Sequence, residues 1–395
     1  MATADNPAAP AGQSLPASAD LLILGGGIMG LWAAVKADRL GIPTLLVDAD
    51  RVGSGASGGL LGALMPHVPD RWTDKKQFQF DALVSLEEEI ARVEGETGLS
   101  AGYRRSGRLI PLPKPHLRDI ALRHSQDAQA NWRSPGREFS WDVVDAAAVP
   151  DLDPAFTAAG VVQETLSGRV SPRALIAMLT ARLHRSRNVR IVEGISVLGI
   201  DPHRGQALMA GGAAVSFGHC IVAAGHASFR LLDLGGRALG APLGRPVKGQ
   251  AALLKADIDP AQPVIFLNGL YVVPHDGGLV AIGSTSEEEF DAALTTDEKL
   301  DDLLARARQL VPALGQAEVV ERWAGLRPKA IGRDPMVGPD PDHPRVIALT
   351  GGFKVSFGLA HRLADAALAA VGGEPADLPE AFTFETHLRL ASQSG

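Results

Sequence analysis

Asp20-Leu-Leu-Ile-Leu-Gly-Gly-Gly-Ile-Met-Gly30, followed by Thr44-Leu-Leu-Val-Asp48, decides the fold of this chain. Leu21 to Leu24 form a continuous apolar run, as in a strand covered on both faces within a parallel sheet. Gly25, Gly27 and Gly30 then give G-x-G-x-x-G where that strand must turn into a helix. The first glycine permits the tight turn, the second lets a pyrophosphate approach the backbone, and the third lets the helix pack close to the strand. The helix start, through Ile28 and Met29, offers N–H groups and a positive dipole end to phosphates. A helix over 28–40 closes at Gly41, and Pro43 introduces a second strand, Thr44–Val47. Asp48 ends that strand, where an acid accepts hydrogen bonds from ribose hydroxyls. A glycine-rich turn in an ordinary α/β unit is the plainer alternative. Strand, glycines, helix, strand and terminal acid together point to a dinucleotide site.

With 395 residues the chain is long enough for two domains and a large core. A hydrophobic content of 46% with 21% charged residues is that of an ordinary globular protein. The net charge of −7 gives no reason to expect nucleic acid or an anionic membrane as partner. The single cysteine, Cys220, excludes an intramolecular disulfide and a cysteine zinc site, and no metal is expected. Residues 1–19 are rich in Ala, Pro and Ser, without basic or apolar regions of the signal-peptide kind, and read as a flexible tail. No apolar run is long enough for a membrane span, so the expected location is cytoplasmic.

After Asp48, the run Arg51-Val-Gly-Ser-Gly-Ala-Ser-Gly-Gly-Leu-Leu-Gly62 is dense in small residues, which lets a backbone lie flat against a planar ligand. An amphipathic helix is predicted over 78–95, with Leu83, Leu86, Ile90 and Val93 on one stripe. A strand over 107–112 follows, then a proline-punctuated region, 114–151, holding at least one helix. Gly168-Arg-Val-Ser-Pro172 leads into a helix carrying Leu175, Ile176, Leu179 and Leu183. Strands at 189–192, 195–200 and 219–225 return the pattern to a parallel α/β sheet. The stretch 271–284 reads as two strands joined at Asp276-Gly277. Thr295-Thr-Asp-Glu298 reads as a capping box for a helix with Leu300, Leu303, Leu304 and Leu310 inward. Trp323-Ala-Gly-Leu-Arg-Pro328, a strand ending at Leu349, Thr350-Gly-Gly-Phe-Lys-Val-Ser-Phe-Gly358 and a last helix over 359–371 close the chain.

This order of pieces resembles the D-amino-acid oxidase family of flavoproteins, most of all its glycine oxidase and sarcosine oxidase branch, from about Asp20 to about Gly373. The specific parts are Ala56-Ser-Gly-Gly-Leu-Leu-Gly-Ala-Leu64, Val222-Ala-Ala-Gly225, Trp323-Ala-Gly-Leu-Arg-Pro328 and the Gly351-Gly-Phe-Lys354 entry to the last helix. The resemblance implies an α/β protein in which a Rossmann-like FAD-binding domain is interleaved with a mixed-sheet substrate-binding domain. The expected division gives 20–95, 150–235 and 323–374 to the FAD domain and 96–149 and 236–322 to the substrate domain. Residues 1–19 and 375–395 are left as tails.

Further implications are residue by residue. Ala56, Ser57, Gly58, Gly59, Leu61 and Gly62 lie beside the flavin with Ala224 and Gly225. Val197 reaches the adenine through its main chain. Gly351, Gly352, Phe353 and Lys354 approach the flavin pyrimidine, where backbone N–H groups stabilise negative charge on the reduced ring. Arg327 corresponds to the arginine that grips a substrate carboxylate, for which its planar fork is suited. A structural ion pair is the alternative. Tyr271 corresponds to a pocket tyrosine, against a plain core aromatic. Pro328 biases Arg327 towards an extended conformation at a strand end. Lys354 stands where glycine oxidases carry arginine. It supplies a cation without the fork, which puts the exact substrate in question. Several relatives bind FAD through a cysteine near the last helix; Cys220 is far from there, so non-covalent FAD is expected. His67, His226 and His275 have no evident partner, and His67 is the best placed of them.

The implied reaction is hydride transfer from an amine or amino acid (glycine, sarcosine or a D-amino acid) to flavin N5, giving an imine that hydrolyses to an oxo acid and amine or ammonia. The electron acceptor is dioxygen, or a quinone or protein in a dehydrogenase acting on D-amino acids or opines. A flavin-bearing assembly protein without turnover is the non-catalytic alternative, opposed by the presence of both Tyr271 and Arg327. Homo-oligomerisation is left open.

Overall fold

A computed structural model describes residues 15–235 and 237–394. Residues 1–14, most of the expected N-terminal tail, lie outside the described residues. Five parallel strands lie side by side in the order Val189–Val192, Thr44–Val47, Ser18–Leu24, Ala214–Val222 and Val346–Thr350. Met336–Pro339 adds an antiparallel edge. The hairpin Val197–Asp201 and Gln206–Met209 extends the sheet beside the front half of Ala214–Val222.

The apolar run of the opening strand is buried on both sides. Leu21 and Ile23 face a layer formed by the helices Ile28–Arg39, Asp74–Thr97, Pro172–His184 and Ser356–Val371. Leu22 and Leu24 face the other way, onto Phe217, Phe229, Phe384 and Leu388. Ser18 and Ala19 already belong to the strand, so the expected tail ends earlier than 19. The expected C-terminal tail is also corrected. It carries the helix Phe384–Gln393, capped by the Thr383 hydroxyl, whose Phe384, Leu388 and Ala391 close that second layer.

The second sheet runs Glu318–Ala330, Gly244–Lys255, Leu279–Gly283, Leu270–His275, Val264–Leu267, Arg108–Pro111, Val161–Glu164 and Trp141–Val144. Its pairs are antiparallel except Val264–Leu267 with Arg108–Pro111. One face is covered by the helix Glu298–Leu310, with Leu300, Leu303, Leu304, Ala307 and Leu310 against Leu254, Val272, Val280 and Ile282. That helix is capped by Asp297, whose carboxylate accepts from Lys299 N–H, and not by Thr295 as the capping box had suggested. The opposite face takes Leu60 and Leu61 from the glycine-rich loop. Two expected boundaries cut across this sheet. Val161–Glu164 belongs to it although 150–235 was assigned to the FAD domain, and Glu318–Ala330 runs unbroken through position 323.

Candidate active site

The opening strand, the helix after it and the glycine-rich loop form one wall of a cavity of about 650 Å³ between the two sheets. Gly25 has φ +106°, and a Cβ there would collide with the backbone of Ala223 and Ala224. At Gly30 a Cβ would overlap the carbonyl oxygen of Gly25, so this residue seats the helix against the strand and does not reach the cavity. A Cβ at Gly27 meets only the Ser57 hydroxyl, at 3.2 Å. The helix Ile28–Arg39 follows Gly27, which has no side chain to cap it, and its first turn carries no acid. The Ser57 hydroxyl accepts the Ile28 N–H at 2.9 Å and ties the loop to the helix start. Asp48 accepts from Gly26 N–H at 2.6 Å and Asp50 N–H at 2.9 Å. Burial holds its carboxyl above the usual range.

Most of the sequence-predicted residues line this one cavity: Gly25, Gly27, Ile28, Met29, Asp48, Ala56, Ser57, Gly59, Leu61, Gly62, Val197, Ala224, Gly225, Tyr271, Arg327, Phe353 and Lys354. Gly58, Gly351 and Gly352, like Gly30, are not on the wall. The Gly58 carbonyl accepts from Arg173 Nε, and Arg173 in turn forms a two-bond pair with Glu321, which clamps the loop to the second sheet. Cβ atoms at Gly351 and Gly352 would lie 2.8 Å from Ala330 Cβ and 2.5 Å from Met29 Cε, so these glycines allow the last loop to pass under its neighbours. The main-chain oxygen of Val197 is taken by Arg230 at 3.3 Å.

The facing wall is a row across the second sheet. Trp323 stands opposite Ala251, Ala251 opposite Gly283, and Gly283 opposite Tyr271. Residues 323, 325 and 327 share this face because side chains alternate along a strand. A Cβ at Gly283 would lie 2.8 Å from Leu61, so the loop fills that gap. Gly325 and Gly249 are cross-strand partners. The Trp323 ring lies over the first and the Arg327 guanidinium over the second, so that a Cβ at either would overlap them. Arg327 stands within a 13-residue strand rather than at its end, a correction to the expected position.

Arg327 is 9% exposed, and its Nη1 donates to the Thr285 carbonyl at 3.1 Å. Among the described residues no carboxylate lies within ion-pair distance of it. Burial pushes its pKa down to about 10. Phe353 N–H donates to the Pro328 carbonyl at 3.1 Å, and Gly352 bridges Lys329, so the loop carrying Lys354 is stitched beside Arg327. Burial, then the Arg327 charge, lowers Lys354 to about 8. Its ammonium lies over the Phe353 ring, 5.5 Å from the centroid. Burial raises the Tyr271 hydroxyl, which packs beside Phe266.

Several lining residues were not anticipated, among them Trp323, Ala251, Ser284, Leu294 and Arg230. The two-residue period from Arg327 back to Trp323 was the available signal for the first. Of the histidines, His226 lines the cavity, whereas His67 does not. The His275 Nε2 lies 3.1 Å from both the Leu60 and Leu61 carbonyls, and it holds the loop. Cys220 is fully buried in the first sheet, and burial raises its thiol. Among the described residues, no helix is long and apolar enough to cross a membrane and no cluster could hold a metal.

Residues 20–366 match the family described as DAO, FAD dependent oxidoreductase. The chain is 30% identical to a glycine oxidase of Pseudomonas putida over 82% of its length and 87% of that protein. It is 28% identical to a bifunctional ThiO/ThiG protein of Synechocystis over 84% of its length, and spans about half, 48%, of that longer relative. The fold matches the crystal structure of a glycine oxidase from Geobacillus kaustophilus with a TM-score of 0.81 at 23% identity, covering 93% of this chain and 99% of that one. The chain belongs to the DAO family of FAD-dependent oxidoreductases, and FAD is its cofactor.

Proposed function

We propose that the cavity holds FAD non-covalently and oxidises a small amine or amino acid, glycine, sarcosine or a D-amino acid among them, to an imine. The observation that carries this reading is Arg327, a buried guanidinium on the cavity wall with no carboxylate partner among the described residues. A fork left this way suits an incoming carboxylate.

The residues present fit the cofactor. The uncapped helix start and the open space at Gly27 suit a pyrophosphate, held with Gly25, Ile28 and Met29. Asp48 suits a ribose, and Val197 the adenine end. Ala56, Ser57, Gly59, Leu61, Gly62, Ala224 and Gly225 flank the ring system, and Phe353 and the backbone of Lys354 its pyrimidine end, which leaves the Lys354 ammonium for the substrate side. Gly30, Gly58, Gly351 and Gly352 support this cradle from behind. In this division the parallel sheet with its helices is the FAD-binding domain and the mixed sheet the substrate-binding domain. Cys220, buried away from the cavity, supports non-covalent attachment.

Bound FAD would supply the oxidant for removing a hydride equivalent from the carbon that bears the amine. The chain's own contribution is placement. Arg327 fixes the carboxylate and Tyr271 bounds the pocket, whose wall also carries Trp323 and Leu61. The imine is then hydrolysed to an oxo acid and an amine or ammonia, and dioxygen or another acceptor takes the electrons. The purified protein should be yellow, and anaerobic addition of glycine, sarcosine or D-alanine should bleach it. Acid precipitation should release the colour into the supernatant. Colour that no amine bleaches refutes the reaction, and colour left in the pellet refutes non-covalent binding.

A further inference from the structure

The cavity carries more positive charge beside the substrate face than one carboxylate neutralises. Arg327 and Lys354 both line it. They are neighbours because Phe353 N–H is bonded to the Pro328 carbonyl and Gly352 pairs with Lys329. Phe353 has φ +44°, a left-handed conformation that a bulky side chain seldom adopts, and it is held there immediately before Lys354. The lining acids, Asp48 and Asp50, belong to the nucleotide end, where Asp48 is tied to Gly26. Arg230, the other lining guanidinium, is bonded to the Val197 and Leu198 carbonyls. Among the described residues neither Arg327 nor Lys354 has a carboxylate within ion-pair distance. The contacts seen are the Thr285 carbonyl for Arg327 and the Phe353 ring for Lys354.

We propose that the substrate is an amine carrying two carboxylates, the first held by Arg327 and the second by Lys354. The inference rests on the reading of this cavity as the amine-oxidising site and names the substrate class of that site. Arg327 is buried and Lys354 is exposed on the same wall; partial burial, and then the like charge of Arg327, lower the pKa of Lys354. A monoacid pairs one of them and leaves the other uncompensated. A diacid pairs both, and the gain is largest where water is excluded. The fork of Arg327 suits the carboxylate that must be held in register with the reacting carbon. The flexible ammonium of Lys354 suits a second carboxylate whose position differs among substrates.

The second carboxylate can be attached to nitrogen or to the side chain, and matched probe pairs separate the two. The FAD-loaded protein is assayed with iminodiacetate against sarcosine, and with D-aspartate against D-alanine. In at least one pair the diacid should have kcat/KM higher by about tenfold or more, the effect expected of one added charge-assisted contact. Lys354→Met should lower kcat/KM for that diacid by at least about ten times more than for its monoacid, and Lys354→Arg should restore most of the difference. Malonate and acetate, titrated against the visible flavin bands, give the same comparison without turnover. Malonate should bind more tightly in wild type, and Lys354→Met should remove that advantage. The proposal is overturned if neither diacid is preferred and malonate binds no better than acetate. It is equally overturned if Lys354→Met weakens mono- and diacids to the same extent, which would assign Lys354 to the flavin. If no amine bleaches the flavin, the oxidase reading fails, and the malonate comparison still decides whether the cavity is built for two carboxylates.

Discussion

Gly249→Ala tests the carboxylate site through a residue that touches no ligand. The Gly249 backbone is one that any L-residue adopts, and its partner across the strand is Gly325. An added Cβ would fall inside the space of Arg327 Nη1, Nη2 and Cζ. The obstacle is the far end of a flexible side chain, so the guanidinium moves and the strand stays. Holding that charge in its buried place costs roughly 3 kcal/mol, judged from a pKa pushed down to about 10. Displacement towards solvent recovers part of this, so the thermal midpoint should change little. The substrate carboxylate loses its charge-assisted hydrogen bonds, worth roughly 1.5–3 kcal/mol, or about tenfold to a hundredfold in kcat/KM. The assay is anaerobic flavin reduction by the best amino acid substrate and by its decarboxylated amine. Gly249→Ala should lose most of the preference for the amino acid while keeping FAD, as should Arg327→Ala. The double variant should be no worse than Arg327→Ala alone, because both changes remove one interaction. Arg327→Lys should recover only part of it. An unchanged preference in Gly249→Ala would refute the assignment of Arg327.

Gly27→Val places a branched side chain at the start of the uncapped helix, where only the Ser57 hydroxyl is near; the protein should fold but purify with little flavin, read from the ratio of visible to protein absorbance. Lys354, lowered to about 8, is neutral above that pH and must take up a proton to meet a second carboxylate. Malonate affinity should therefore fall as pH rises from 8 to 9, while Arg327 stays charged, and Lys354→Met should show no such fall. His361, fully buried beside Trp32 and Ser85, is pushed down to about 3. A histidine depressed in the folded state contributes stability that is present above its ordinary pKa and lost as pH falls towards 3. Urea unfolding of His361→Leu should therefore show a stability slope between pH 6 and pH 4 shallower by about 1.4 kcal/mol per pH unit; an unchanged slope would assign the acid sensitivity elsewhere.

What could be read from the sequence was whatever a short window determines. The apolar run, three glycines and terminal acid of 20–48 state their own geometry, and the structure keeps Leu21–Leu24 buried on both sides. The helix Phe384–Gln393 was missed because its few apolar residues acquire meaning only when docked on the first sheet. The boundary at 323 was missed for the opposite reason. Trp323-Ala-Gly-Leu-Arg-Pro328 was read as the return to the FAD domain, whereas it is the second half of a strand of the mixed sheet that faces the cavity. Alternation along that strand places Trp323, Gly325 and Arg327 on one face, which a sequence allows one to say. It does not name the residue across from each. That Gly249 stands opposite Gly325 depends on the pairing of Gly244–Lys255 with Glu318–Ala330, strands distant in sequence. A slip of one residue would turn the faces over and bring Lys248 or Gln250 opposite Gly325. These two side chains instead anchor the register from the other face, where Lys248 pairs with Asp297 and Gln250 donates to Glu287 and Asp297. The same network includes Thr285, whose hydroxyl accepts the Gln250 N–H and whose carbonyl accepts from Arg327. The guanidinium is therefore positioned by a register that its own strand does not encode.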